Sequence, residues 1–144
     1  MNPIAKDRAT SVGLLVLRLF LGLGIMAHGY QKFFVFGVSG FAGFLEKLGA
    51  PAPQASAWLS ASAELAGGLL IAVGLLTRLA AVPLAINMAV AAFVAHSGYF
   101  ITNTPPGREY ALNLGAAFVA LALTGAGRYS IDHVLASRQQ PPKE

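Results

Sequence analysis

The stretch that decides the fold is SVGLLVLRLFLGLGIMAHGY, which runs from Ser11 to Tyr30. It is a continuous apolar run, without the alternation of apolar and polar residues that marks a β-barrel strand. Its length matches the roughly 20 apolar residues that one transmembrane helix needs. Arg18 lies within it and no A-x-A-like cleavage motif precedes His28. We therefore favour a retained membrane helix over a cleaved signal peptide.

Three further apolar runs follow, at about residues 57–76, 79–97 and 108–125. Of the 144 residues, 56% are hydrophobic and 11% are charged, whereas an ordinary soluble domain carries about 25% charged residues. The mean hydropathy is +0.63. Together with the run at 11–30, these observations predict an all-α, integral membrane four-helix bundle in the lipid bilayer. Because little chain remains for a soluble part, we predict a single domain over residues 1–144.

The connection between the first two runs predicts a short additional helix. Phe41, Phe44, Leu45 and Leu48 recur at i, i+3, i+4 and i+7, which is typical of an amphipathic helix lying in the membrane interface. At the other end of the chain, the residues after Asp132 end in QQPPKE. This composition predicts a disordered tail.

The lysines and arginines predict an orientation. With four spans, both termini lie on one side of the membrane. That side carries Lys6, Arg8, Arg78, Arg128, Arg138 and Lys143, and the other carries Lys32, Lys47 and Arg108. Because the excess of Lys and Arg lies on the cytoplasmic side, we predict cytoplasmic termini. The basic residues form no cluster typical of nucleic-acid binding, so we expect no nucleic-acid partner.

Charged side chains inside the spans are candidates for pairing or for chemistry, because they are costly in lipid. At a rise of ~1.5 Å per residue, Arg18 lies about 10 Å and Glu64 about 18 Å from the cytoplasmic ends of their helices. We predict that these two residues form a structural ion pair between the first two helices. The alternative is that Glu64 carries a proton or binds a ligand.

Other polar residues predict a pocket in the outer half of the bundle. The two histidines of the spans lie at one depth, about 25 Å from the cytoplasmic ends, and polar faces of the second and fourth helices can meet them. Asn87 precedes His96 by half a turn in angle, so we do not expect it to join the pocket. The candidate pocket residues are His28, Lys32, Glu64, His96, Glu109 and Asn113.

Several ligands would suit such a pocket. Two histidines and two carboxylates can bind a divalent metal, but no signature such as HExxH is present, so we predict no metal site. Two histidines can also bind a haem, although no haem motif accompanies them. A quinone or another apolar small molecule suits a pocket with a histidine donor and a carboxylate. The remaining alternative is that these groups only form hydrogen bonds at a wet membrane edge.

The sequence contains no cysteine, and this excludes two kinds of redox chemistry. The chain cannot perform thiol–disulfide exchange by itself, and it cannot hold an iron–sulfur cluster through thiolates. Redox work would therefore need a bound cofactor or a partner protein.

Six short stretches, taken together, resemble the DoxX family. They are HGYQK (28–32), GFAGFLEKLG (40–49), AELAGGLL (63–70), GLLTRLAA (74–81), EYALNL (109–114) and LTGAGRYSID (123–132). The resemblance covers Leu15 to Asp132 and implies a four-helix protein of the bacterial inner membrane. It also adds Gln31 to the candidate pocket. The polar positions that recur in the family match His28, Gln31, Lys32, Glu64, Arg78 and Glu109 here.

The resemblance further implies a link to redox chemistry. The family takes its name from the small subunit of a thiosulfate:quinone oxidoreductase, and some members are described as membrane partners of thiol-stress and superoxide-defence proteins. We therefore expect a quinone-linked membrane subunit of a redox system, with soluble or membrane redox partners or a homo-oligomeric state. Because no self-contained catalytic motif is present, a non-catalytic scaffold is the alternative. A small-molecule transporter ranks third, since paired interrupted helices are missing.

Overall fold

A computed structural model describes residues 3–100, 102 and 107–138 of the chain. These residues form six α-helices and no strand. A five-residue π turn continues α1 at Gln31–Val35, and another continues α4 at Ala91–Ala95. The helices are α1 (Pro3–Tyr30), α2 (Val38–Lys47), α3 (Pro53–Val73), α4 (Thr77–Val90), α5 (Glu109–Thr124) and α6 (Ile131–Arg138).

Three of the helical segments are long and apolar enough to cross a membrane, namely Ile4–Val35, Pro53–Val73 and Thr77–Ala95. Helix α5 is also apolar but has only 16 residues. Large apolar side chains such as Phe20 and Leu123 are exposed on these helices. An apolar surface of this extent is suited to lipid and not to water. The first three predicted membrane helices are therefore confirmed as long and apolar enough to cross a membrane, but α1 begins at Pro3 and α3 at Pro53, before the predicted Ser11 and Ala57.

Helices α1 and α3 approach each other backbone to backbone. A Cβ atom added to Gly22 would lie 2.6 Å from the backbone nitrogen of Ala72, and one added to Gly68 would lie 2.7 Å from that of Met26. Gly29 faces the backbone of Leu65 in the same way. Small residues allow such close packing of membrane helices. This interface fixes the register that brings the end of α1 over the middle of α3.

The main core lies among α1, α3, α4 and α5. It is a buried cluster of aliphatic and aromatic side chains that includes Ile25, Ile71, Leu84, Phe118 and Leu121. A second cluster joins Val38, Ala42 and Leu45 of α2 to Ala57 of α3. The short amphipathic helix between the first two spans is thus confirmed, and its place in the membrane interface stays a prediction.

The turn between α3 and α4 depends on left-handed backbone conformations. Gly74 ends α3 with a φ of 71°, and Leu76 precedes α4 with a φ of 49°. Glycine adopts such angles without the steric cost that a Cβ atom adds. The second membrane helix therefore ends at Val73 and not at the predicted Leu76.

Helix α6 corrects the prediction of a disordered tail after Asp132, and residues 139–144 lie outside the described residues. The Asp132 carboxylate accepts hydrogen bonds from the backbone N–H of Leu76 at 2.7 Å and of Thr77 at 3.0 Å. The Asp132 backbone N–H donates to the Gly74 carbonyl at 2.9 Å. A carboxylate at a helix N-terminus is stabilising. The sequence pattern did not reveal this cap, because it comes from a distant part of the chain.

Candidate functional site

A buried ion pair between Lys32 and Glu64 forms the centre of the candidate site. The Lys32 Nζ lies 2.5 Å from Glu64 Oε1, and the Glu64 side chain is 3% exposed. The same Nζ donates a hydrogen bond to Ser60 Oγ at 3.1 Å and lies 4.6 Å from the centre of the Phe41 ring. Lys32 thus joins α1, α2 and α3 through one ammonium group.

The two oxygens of Glu64 have different surroundings. Oε1 accepts hydrogen bonds from both Lys32 and Asn87, whose Nδ2 lies 2.8 Å away. Oε2 is buried and has no hydrogen-bond partner. A buried acceptor without a partner costs about 1–3 kcal/mol. Such an atom is therefore suited to accept a hydrogen bond from a ligand that reaches it.

A cavity of about 380 Å³ adjoins the ion pair. Its volume falls within the usual range for small-molecule sites, and apolar walls with a few polar groups are typical of them. The polar lining residues are Lys32, Ser56, Ser60, Glu64, Asn87 and His96, and the apolar ones include Phe41, Phe44, Leu45, Val90 and Val94.

The two π turns bring polar side chains to this cavity. Lys32 lies in the π turn that follows α1, and His96 directly follows the π turn at the end of α4. His96 itself has an extended backbone, with φ −114° and ψ 132°. A π turn holds an extra residue and changes the direction of the side chains that follow, and such turns are frequent at functional sites.

The structure brings together only part of the predicted pocket. Lys32, Glu64 and His96 line the cavity. The other predicted residues do not line it. His28 is exposed, with its ring centre 6.2 Å from that of Tyr110. Gln31 and Asn113 are also exposed, and Glu109 is half-buried in the first turn of α5.

Asn87 lines the cavity together with His96, contrary to the prediction from the helical wheel. That prediction assumed an ideal α-helix between the two residues. The π turn at Ala91–Ala95 and the extended backbone of His96 change the angle between the two side chains. No sequence signal for the π turn was available to correct it.

The predicted ion pair between Arg18 and Glu64 is wrong. The Arg18 Nη1 donates to the carbonyl oxygens of Ile71 at 3.3 Å and of Ala72 at 3.2 Å, and its Nη2 donates to that of Tyr129 at 2.5 Å. The carbonyls of Ile71 and Ala72 lie at the C-terminal end of α3, where a cation is favoured. Glu64 lies two helical turns away on α3 and is paired with Lys32 instead.

The described part of the chain gathers no group of three or more His, Asp or Glu residues that could hold a metal ion. The polar groups that line the cavity are hydrogen-bond donors and acceptors, with one ammonium and one carboxylate among them. This set can bind an uncharged molecule that carries oxygen atoms on an apolar frame.

A second and more open cavity, of about 770 Å³, lies at the opposite end of the helices and is lined by Lys6, Arg78 and Asp132 among others. Two of its charged side chains already have protein partners. Asp132 caps α4, and Arg78 donates to the Thr124 carbonyl at 3.4 Å. We therefore regard the cavity at Lys32 and Glu64 as the candidate site.

Comparison with known proteins gives several relatives of similar length. The chain is 33% identical to the uncharacterized membrane protein Rv3486 of Mycobacterium tuberculosis, with 87% of this chain and 82% of that protein covered. It is 32% identical to the inner membrane protein YqjF of Escherichia coli, with 86% and 92% covered.

A third relative, from Bacillus subtilis, carries the name "Putative oxidoreductase CatD" and is 31% identical, with 88% of this chain and 89% of that protein covered. No solved structure matches the chain significantly. Residues 13–97, which include Lys32, Glu64 and Asn87, match the family profile DoxX. The chain is a membrane protein that belongs to the DoxX family.

Proposed function

We propose that this chain is an inner-membrane subunit of a redox system, and that the cavity at Lys32 and Glu64 binds the head group of a quinone. The name of the Escherichia coli relative supports the inner-membrane location, and the name of the Bacillus subtilis relative supports a redox role. Helices α1, α3, α4 and α5 would cross the membrane as a four-helix bundle. Helix α5, with 16 residues, would be about 24 Å long.

The observation that carries the proposal is the unpartnered Oε2 of Glu64, a residue that lines the cavity. The last torsion of a glutamate side chain is broad, so a small rotation turns this oxygen toward a ligand. A quinol hydroxyl would donate a hydrogen bond to it. In the oxidised form, a quinone carbonyl would accept a hydrogen bond from Lys32 or Asn87. The same site therefore suits both redox states of the head group.

The chain would supply the binding site and a partner protein would supply or accept the electrons. Reduction of a quinone to a quinol takes two electrons and two protons. With Cys 0, the chain has no thiol pair that could exchange electrons. We assign the electrons to a redox partner protein and the protons to Lys32 and His96, which both line the cavity.

Binding of the reduced ubiquinone head group, without its tail, tests the proposal in lipid nanodiscs. Glu64→Gln replaces the carboxylate, with its two acceptor oxygens, by an amide. Glu109→Gln makes the same change at a carboxylate outside the cavity. We expect Glu64→Gln to weaken binding on the order of tenfold or more, because a hydrogen bond to a charged group contributes about 1.5–3 kcal/mol. We expect Glu109→Gln to leave the affinity within about twofold of the original protein.

Calorimetric titration measures these affinities, and thermal unfolding checks that each variant is folded. No binding by the unmodified protein would refute the proposal, and so would an equal loss in the two variants. Partner proteins that copurify equally well with Glu64→Gln, without any quinone binding, would favour the scaffold function.

A further inference from the structure

A second apolar cavity adjoins the candidate site beside α2. It has a volume of about 480 Å³ and is lined by Lys32, Phe36, Gly40, Phe41 and Phe44. Lys32, Phe41 and Phe44 also line the first cavity. The two phenylalanine rings of α2 are stacked, with their centres 6.3 Å apart. The two cavities therefore share one wall, formed by these rings and the stem of Lys32.

The polarity of the combined space changes from one end to the other. The first cavity ends at Glu64 and Asn87, which are hydrogen-bonded to each other. The second is apolar apart from Lys32, whose ammonium group binds Glu64 and Ser60 at its border. A molecule that fills both cavities would thus have a polar head at Glu64 and an apolar extension beside Phe36.

We infer that the second cavity holds the first part of the isoprenoid tail of the quinone whose head group binds at Lys32 and Glu64. This inference rests on the proposed function and restricts the ligand class to tailed quinones. Two observations favour a tail at this position. The cavity lies directly beside the head-group site, with Lys32, Phe41 and Phe44 in the lining of both. Phe36 and Phe44 are 60% and 48% exposed, which leaves the far end open for a tail to continue into lipid.

Gly40 provides a sharp test of this inference. A Cβ atom added to Gly40 would meet no heavy atom within 4 Å, and Gly40 lines the second cavity, so a larger side chain can occupy part of that space without moving its neighbours. Gly43 lies one turn further along α2 and also has no atom within 4 Å of an added Cβ. It faces a different recess, lined by Ser39 and Glu46 among others. Gly43 is therefore a matched control on the same helix.

The experiment compares Gly40→Leu with Gly43→Leu in phosphatidylcholine nanodiscs. The two probes are decylubiquinone and the ubiquinone head group without a tail. Each affinity is calculated from the concentration of quinone dissolved in the lipid. The stronger partition of the tailed probe into lipid then does not affect the comparison. We expect Gly40→Leu to weaken the binding of decylubiquinone on the order of tenfold, because the tail and the new side chain compete for one space. The tail-less probe should change by less than about twofold.

Gly43→Leu should leave the affinities of both probes within about twofold. Gly40→Ala should give a smaller loss of decylubiquinone binding, which keeps the test informative if Gly40→Leu does not fold. Thermal unfolding identifies that case. An unchanged affinity of folded Gly40→Leu for decylubiquinone would overturn the inference, as would an equal loss for both probes.

The failure of the inference and that of the proposed function are distinguishable. If the unmodified protein binds neither probe, the proposed function fails and the tail site fails with it. If the head group binds and its affinity depends on Glu64, while Gly40→Leu does not discriminate between the probes, only the tail site is refuted. In that case the second cavity would hold a lipid acyl chain or no ligand at all.

Discussion

Two charged side chains, Arg18 and Glu64, are buried within the part of the chain that the structure describes. Their hydrogen bonds differ in kind. Arg18 donates to main-chain carbonyls near the C-terminal end of α3 and at Tyr129. Glu64 accepts from the side chains of Lys32 and Asn87. The helical run that contains each charge is evident in the sequence, but the choice of partner is not, since Lys32 reaches Glu64 only through the π turn after α1.

This difference predicts that Arg18 and Glu64 contribute independently to stability. Arg18→Leu leaves buried carbonyls without their donors, and Glu64→Leu leaves the Lys32 ammonium without its counter-ion. We expect each change to lower the free energy of unfolding by about 2–4 kcal/mol. The double variant should show the sum of the two losses to within about 0.5 kcal/mol, because the residues share no partner.

Reversible unfolding in detergent measures these losses. The combination of Lys32→Leu with Glu64→Leu serves as the control, and it should be milder than Glu64→Leu alone, since it removes both members of an ion pair. A coupling energy above about 1 kcal/mol between positions 18 and 64 would contradict this account.

Among the helices, the contact between α1 and α3 determines where the candidate site forms, because it brings the end of α1 to the middle of α3. Continuous apolar runs were enough to predict the existence of the long helices, because crossing a membrane requires length and apolar character alone. Their ends and their closest approach depend on backbone conformation and on individual glycines, such as Gly74 and Gly29. Neither the π turns nor the backbone contact at Gly29 has a distinct sequence signature.

Alanine substitutions at two glycines of α1 test the importance of this contact. At Gly29 an added Cβ would collide with the backbone of Leu65, whereas at Gly24 it would meet nothing within 4 Å. We expect Gly29→Ala to lower the free energy of unfolding by about 1–3 kcal/mol through overpacking. Gly24→Ala should be neutral or raise it by up to about 1 kcal/mol, because alanine favours the helix.

Thermal unfolding of both variants in the same detergent provides the comparison. Gly29→Ala should also weaken quinone binding, since it displaces Lys32 from Glu64. Equal stability of the two variants would contradict the proposed role of the α1–α3 contact.

For the whole molecule, the excess of Lys and Arg predicts cytoplasmic termini and an outward-facing α2. Because the chain has Cys 0, a single introduced cysteine is its only thiol. Ala5→Cys, Glu46→Cys and Ser137→Cys place this thiol at exposed positions in α1, α2 and α6. A membrane-impermeant maleimide added to spheroplasts should label Glu46→Cys at once, and it should label the other two only after permeabilisation.

The labelling pattern also counts the crossings. Protection of both Ala5→Cys and Ser137→Cys requires an even number of spans, so α5 must cross despite its 16 residues. Labelling of Ser137→Cys in intact spheroplasts would leave three crossings, those of α1, α3 and α4, and would refute the four-helix bundle. The double variant Gly43→Leu, Glu46→Cys is labelled in parallel. It controls for changes in the reactivity of the thiol on α2 toward the maleimide.

The contacts of Arg18 have a consequence for how the sequence can vary. A carbonyl oxygen is present whatever side chain its residue carries, so an exposed partner such as Tyr129 can be replaced without loss of the acceptor. The partners of Lys32 and Glu64 are side-chain atoms, and each of them depends on the identity of its residue. Saturation mutagenesis should therefore find wide tolerance at Tyr129 and narrow tolerance at Ser60, Glu64 and Asn87.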